Sequence, residues 1–221
     1  MEGGGARGRR PPPGGVAVGP GQSAEHKAEG AMYIVIDCET TGLPRNWKAP
    51  VSDAANWPRV VQLAWSRIDG QLGKIESVSR LIRPDGFVIP AAAERVHRIS
   101  TRRATEEGMP LAAVLGEFAG AVGQSEVVVA HNLQFDESVL SAEYLRCGME
   151  PPFGAKRRIC TMRRSAGLCR LPGAYGYKWP SLAELHRTLF GTGFEEAHDA
   201  AADVTACADC FIELERRRLL D

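Results

Sequence analysis

The sequence predicts an α/β fold, a mixed five-stranded sheet flanked by helices. Two observations carry that prediction. Three strand-like runs come early, at 31–38, 59–69 and 74–83, and short turn-rich or loop segments join them. Later runs at 126–130 and 158–162 alternate instead with segments of helical periodicity. Early neighbours joined by turns, followed by strand–helix alternation, describe a sheet with mixed strand directions and helical cover.

The elements follow in order. "YIVID" is apolar enough for a buried strand. A loop rich in Pro, Asn and Trp spans 43–58. "RVVQLAWSRID" and "KIESVSRLIR" flank "GQLG", where Gly70 and Gly73 suit a hairpin. A short helix is expected at 90–97, and "STRRATEEGM" after it is assigned no regular element. "PLAAVLGEFAGAV" reads as a helix at 110–122 with Pro at an early position. "LQFDESVLSAEYLRC" is an amphipathic helix at 133–147, stopped by Gly148. Further helices are expected at 180–190 and 199–217.

Residues 1–30 contain nine Gly and four Pro and little that could enter a core. They read as a disordered tail, and the folded domain is expected over 31–221. The tail has arginines but no apolar stretch, so it is not a secretory signal. Its glycines and prolines disfavour the amphipathic helix of an organelle leader, without excluding one. No run approaches the ~18–20 apolar residues that cross a bilayer. A cytoplasmic protein with no membrane partner is expected.

With 27 basic and 27 acidic residues the formal charge is zero, which argues against a polybasic nucleic-acid binder. Six cysteines in a chain of this length read as reduced thiols. Cys207 and Cys210 form a lone C-x-x-C inside a helix, without the further ligands a zinc site needs. No P-loop and no G-x-S-x-G is present.

The chemistry begins at "MYIVIDCETTG", 32–42. Side chains alternate along a strand, so Asp37 and Glu39 share a face while Cys38 points to the packed side. Two carboxylates about 7 Å apart repel, and a shared cation relieves them. Oxygen ligands favour Mg²⁺ or Mn²⁺. D-x-E alone also describes a solvent-exposed pair. Two distant segments tip the balance. Asp136 follows a buried strand at the start of a helix, and His198 and Asp203 lie at the start of the last helix. Both places are ones that α/β sheets gather at one end. Five residues along a helix turn through about 140°, so His198 is expected on the loop before the helix and Asp203 in its first turns. Asp199 is the competing carboxylate, best read as an N-cap.

D-x-E-T-T-G-L at 37–43, H-N-x-x-F-D at 131–136 and H-x-x-x-x-D at 198–203 together resemble the three motifs of the DEDDh family of 3′–5′ exonucleases, the RNase T and DNA polymerase III epsilon type. The resemblance covers about 31–215 and implies an RNase H-like fold. It implies phosphodiester hydrolysis at 3′ ends, DNA favoured, releasing 5′-mononucleotides with two divalent cations, Mg²⁺ or Mn²⁺. By the same resemblance Asp37, Glu39, Asp136 and Asp203 hold the metals and His198 is the general base. Thr40, Thr41, Gly42 and Leu43 would meet the terminal nucleotide. His131 and Asn132 either touch substrate or orient their turn, and Phe135 either stacks on a base or joins the core. The run 156–170, with six basic residues, is either a phosphate track or a solvated face. Arg98 stands where the family usually has glycine. An RNA-directed nuclease of the RNase T or oligoribonuclease type and a catalytically silent nucleic-acid-binding module are the alternatives. The partner is a single-stranded 3′ end of DNA or RNA; a homodimer and a polymerase partner both remain open.

Overall fold

The computed structural model describes residues 30–194 and 198–220; the N-terminal tail expected at 1–30 lies outside them apart from Gly30. Five strands form one sheet: β1 (Tyr33–Thr40), β2 (Val60–Ile68), β3 (Lys74–Leu81), β4 (Val127–Ala130) and β5 (Arg157–Cys160), in the order β3-β2-β1-β4-β5. β2 runs antiparallel to β1 and β3, while β4 and β5 run parallel to β1. Between β3 and β4 lie α1 (Ala91–His97), α2 (Thr101–Glu107) and α3 (Leu111–Gly123). α4 (Leu133–Arg146) joins β4 to β5. After β5 come α5 (Thr161–Arg164), α6 (Ala166–Cys169), a small hairpin of β6 (Pro172–Gly173) and β7 (Gly176–Tyr177), α7 (Leu182–Phe190) and α8 (Ala200–Arg216).

Alternation along β1 builds a core on each face. Ile34 and Ile36 pack with Trp65, Phe118, Val128 and Leu140 beneath α3 and α4. Val35 packs on the other face with Val129, Leu185, Val204 and Phe211 of α7 and α8. Sheets buried on both sides need such near-continuous apolar strands. A third cluster of Val61, Ile89, Ala93, Ile99 and Ala104 seats α1 and α2.

β1 begins and ends two residues later than expected and runs on past Asp37 through Glu39. Its antiparallel partner explains this: β2 pairs with it as far as Glu39↔Gln62, with an irregularity before Thr40. β4 pairs only with Tyr33 to Val35. Past Val35 the sheet therefore opens between β1 and β4, and both acidic residues sit at that opening.

α2 occupies a segment that carried no predicted element. Its Ser100 cap accepts from the Arg103 N–H, a start signal that the charged, threonine-rich run obscured. The β2–β3 turn also differs from expectation. The left-handed residue is Leu72 (φ 65°) rather than a glycine, held because Asp69 Oδ1 accepts from the Gln71 and Gly73 N–H groups.

Arg98 closes α1 in the left-handed region at φ 60°, with its N–H bonded to the Glu94 carbonyl. The turn keeps the glycine geometry without glycine, at a steric cost of about 1–2 kcal/mol. Arg98→Gly should raise stability by about 0.5–1 kcal/mol once glycine's extra unfolded freedom is subtracted. A urea denaturation midpoint that fails to rise would show the strain relieved elsewhere.

α4 is fastened to β2 by a buried charge. Glu143 is 0% exposed and accepts from Arg59 Nε (2.9 Å) and the Val60 N–H (2.9 Å), while Arg146 Nη1 lies 3.1 Å from its other oxygen. Arg146 also donates to the Trp57 carbonyl at 2.6 Å, and Arg59 lies over the Phe87 ring at 4.4 Å. Both guanidiniums reach water at their edges, so losing the charge is not catastrophic. Glu143→Gln should cost about 2 kcal/mol, read as a Tm lower by roughly 4–8 °C. An unchanged Tm would mean that the pair merely offsets its own desolvation.

Candidate active site

Asp37 and Glu39 project from β1 on the α8 side, where the ladder to β4 has ended. Asp136 comes from the opposite side, on the first turn of α4. Its Oδ1 accepts from the Cys38 N–H at 3.1 Å and from Cys38 Sγ at 3.3 Å. That N–H is a donor left without a strand partner at the opening, so the split in the sheet is what draws Asp136 in. Cys38, expected to do no more than pack, also positions this carboxylate.

Asp203 lies on the first turn of α8, and its Oδ2 accepts from the His198 N–H at 2.9 Å. His198 precedes the helix in the left-handed region, φ 72°, and Asp199 caps α8 by accepting from the Ala201 and Ala202 N–H groups. These places match the expectations from spacing. Glu195, Glu196 and Ala197, just upstream, lie outside the described residues. Glu39, His198 and Asp203 bring one ligand atom each within 4.8 Å of one another.

Gln62 was not singled out from sequence. It sits opposite Glu39 on β2 and docks the start of α8, accepting from the Ala200 N–H at 3.2 Å and lying 3.5 Å from Asp199 Oδ2. Its signal is faint: a lone amide in an otherwise apolar "VVQLAW".

Burial and mutual repulsion dominate the electrostatics. Asp37 is pushed well above the usual carboxylate range by burial, then by Asp136, Asp203, Glu39 and Asp199. Glu39 is raised to about 7 by burial, then by Asp203, Asp136 and Asp199. Burial raises Asp136 to about 7 despite the two bonds from Cys38, and it raises Asp203 despite the His198 N–H. Among the described residues no Lys or Arg pairs with any of the four. Asp37 and Glu39 accept no hydrogen bond there either. Hard oxygen donors facing one another without a cationic side chain fit divalent ions of the Mg²⁺ type.

The expected substrate-side residues divide. His131 donates Nε2–H to the Pro180 carbonyl (3.0 Å) and accepts at Nδ1 from Thr161 Oγ1 (3.0 Å). Burial lowers its pKa to about 4, so the ring is neutral and committed to bracing; of the two readings left open, orienting the turn is the one its contacts fit. Asn132 sits left-handed at φ 76°, and its amide makes no hydrogen bond among the described residues. Thr40 Oγ1 donates to the Gly42 carbonyl (2.7 Å), and Thr41 Oγ1 accepts from the Arg59 N–H (2.9 Å), so both hydroxyls already stiffen the turn. Gly42 has φ 146°, which only glycine adopts easily. Leu43 stands 72% exposed. Phe135 joins the core rim and tilts against Trp47, with ring centroids 5.8 Å apart. The 44–58 loop thereby packs on α4 at this end of the sheet.

The sequence model of the RNase_T family, described as "Exonuclease", matches residues 34–211. The DNA polymerase III subunit epsilon of Treponema pallidum (strain Nichols) is 25% identical over 183 residues, 83% of this chain and 76% of that protein. Among solved structures, the zinc-bound E. coli exonuclease I–single-stranded DNA complex superposes with a TM-score of 0.69 at 21% identity, over 86% of this chain. E. coli exonuclease I with a dT13 oligonucleotide gives 0.68 at 20%, over 85% of this chain. This chain spans 42% of the length of either exonuclease I chain. At these identities the likeness is one of fold, the RNase H-like arrangement of a mixed sheet between helices.

Proposed function

The chain belongs to the RNase T exonuclease family, a family of 3′–5′ exonucleases, and from that premise we propose that it hydrolyses the last phosphodiester at single-stranded 3′ ends, DNA favoured, releasing 5′-mononucleotides with two divalent cations, Mg²⁺ or Mn²⁺. The observation that carries this reading is the meeting of Asp37, Glu39, Asp136 and Asp203 from three elements, with no basic side chain among the described residues to neutralise them. The folded domain of 31–221 and a cytoplasmic setting belong to the same proposal; all six thiols are free, as a reducing compartment keeps them. Among the described residues no helix is long and apolar enough to cross a membrane.

Asp37 would be common to both cations, as the resemblance of 37–43 to the family's first motif implies. Glu39 and Asp203 would complete one site and Asp136 the other. Bound there, the ions supply Lewis acidity to the scissile phosphate and neutralise charge building on its oxygens. His198 takes the proton from the attacking water. Its backbone is tied to Asp203 while its ring stays exposed, so the imidazole can turn toward a bound strand. The Thr40–Leu43 turn and the free amide of Asn132 meet the terminal nucleotide.

A 3′-labelled single strand should release its label as mononucleotide with Mg²⁺ or Mn²⁺, and a 5′-labelled one should shorten stepwise. Label retained under both metals while the strand still binds would replace this reading by the silent-module one. Competition between matched DNA and RNA strands fixes the sugar preference, since faster loss from RNA would move the assignment to an RNA-directed enzyme. His198→Gln should lower kcat by about 10²–10⁴-fold. Stabilisation of that variant by Mn²⁺ should persist; its loss would make His198 a metal ligand instead of a base.

A further inference from the structure

Beyond the carboxylates, the structure carries an aromatic hairpin after a segment whose Arg163, Arg164 and Arg170 have no acidic partner among the described residues. We propose that the β6–β7 hairpin and the α5–α6 segment form a stacking and phosphate-binding platform for the single strand on the 5′ side of the scissile bond; the proposal rests on the nuclease reading above.

The hairpin is built to stand out. It presents Tyr175 fully to solvent, and Tyr177 and the following Trp179 are each 57% exposed. Among the described residues these three large aromatics, within five residues, make no ring–ring contact, and the Arg163 guanidinium lies 5.4 Å from the Trp179 ring centre. Arg163, Arg164 and Arg170 have no acidic partner among the described residues. Arg163 donates instead to Gln134 Oε1 at 2.7 Å, and Gln134 stands two residues before Asp136 on the same helix. Together with Arg164 it lines an open groove of about 600 Å³ between α4 and α5. His131 pins the hairpin's exit, Pro180, to the end of β4, so the platform is rooted at the catalytic end of the sheet.

Exposed aromatic faces in the same segment as guanidiniums that lack an acidic partner among the described residues match the bases and phosphates of single-stranded nucleic acid. A flat apolar protein partner would leave the arginines uncompensated. The sequence run 156–170 thus splits: Arg158 is spent on Glu137 at 2.7 Å, while Arg163, Arg164 and Arg170 remain available to phosphate.

The test separates binding from hydrolysis. The full chain is titrated in EDTA with oligothymidylates from dinucleotide to dodecanucleotide while tryptophan fluorescence is followed. Affinity should rise with length, with quenching that Trp179→Phe diminishes. Tyr175→Ala, at a side chain that supports no packing, should weaken long-strand binding about tenfold and leave the dinucleotide unaffected. Arg164→Ala should flatten the salt dependence by about 0.7 in log–log slope. Length-independent affinity, or long-strand affinity unchanged in both variants, overturns the platform. So does a self-associated chain that Tyr175→Ala disperses while its oligonucleotide affinity is untouched, which would make the hairpin an interface between copies. None of these overturning results touches the nuclease reading, which stands or falls on metal-dependent release of the 3′ label.

Discussion

Asp37→Asn should abolish hydrolysis and stabilise the metal-free protein in one step. The functional half follows from position. Asp37 is repelled by the other three carboxylates and by Asp199, so a neutral amide there weakens every cation held nearby. A loss of at least about 10³-fold in kcat/KM, roughly 4 kcal/mol of transition-state stabilisation, is expected. The stability half has the opposite sign, because the wild-type carboxylate is buried and repelled from four directions. At pH 8 without metal, Asp37→Asn should melt higher than wild type, and with saturating Mn²⁺ the order should reverse. A variant that keeps wild-type turnover would remove Asp37 from the mechanism. One that is inactive yet less stable without metal would show that Asp37 serves the fold.

What sequence could disclose follows from the range of the interactions. Asp37, Glu39, Asp136, His198 and Asp203 were legible because each lies in a local pattern, a strand end or a helix start, and such ends converge in α/β sheets. The spacing of His198 and Asp203 even separated loop from helix. Contacts made across the sheet left no such trace. Glu143 reads as one more polar residue in "SAEYLR", yet it is buried beneath Arg59, which precedes β2 eighty-four positions away. Cys38 looked like packing until the end of the β4 ladder exposed its N–H to Asp136. His131 had two readings because the choice depends on Thr161 and Pro180, both distant in sequence. The β6–β7 hairpin was missed for a different reason, its strands of two residues each being too short for periodicity to show, while the charged, threonine-rich run of α2 hid its Ser100 cap.

Without divalent cations, the protein should lose stability as pH rises from 6.5 to 8, and Mg²⁺ or Mn²⁺ should restore it. Glu39 and Asp136 sit at about 7 in the fold and near 4 when unfolded, and Asp37 lies well above the usual range. The folded state therefore holds protons that the unfolded chain has already released. Stability conferred by the protonated carboxyls is complete below about pH 4 and is lost as pH climbs through the folded values. Two histidines act in the opposite sense. Burial lowers His131 to about 4 and also lowers His97, so the unfolded imidazoles gain protons below about 6.5 and stability falls with acid. The two trends oppose each other between pH 4 and 6.5, and only above 6.5 do the carboxyls act alone. In that window Glu39 and Asp136 together should lose about 1.5 kcal/mol, to which Asp37 adds in the same direction, read as a Tm lower by at least about 3 °C at pH 8. A cation at about a hundred times its dissociation constant returns about 2.7 kcal/mol. Glu39→Gln combined with Asp136→Asn should flatten the pH trend and weaken the metal response together, because one repulsion underlies both. A wild-type Tm that is level from pH 6.5 to 8 and indifferent to Mg²⁺ and Mn²⁺ would mean that these four carboxylates are solvated separately and share no ion.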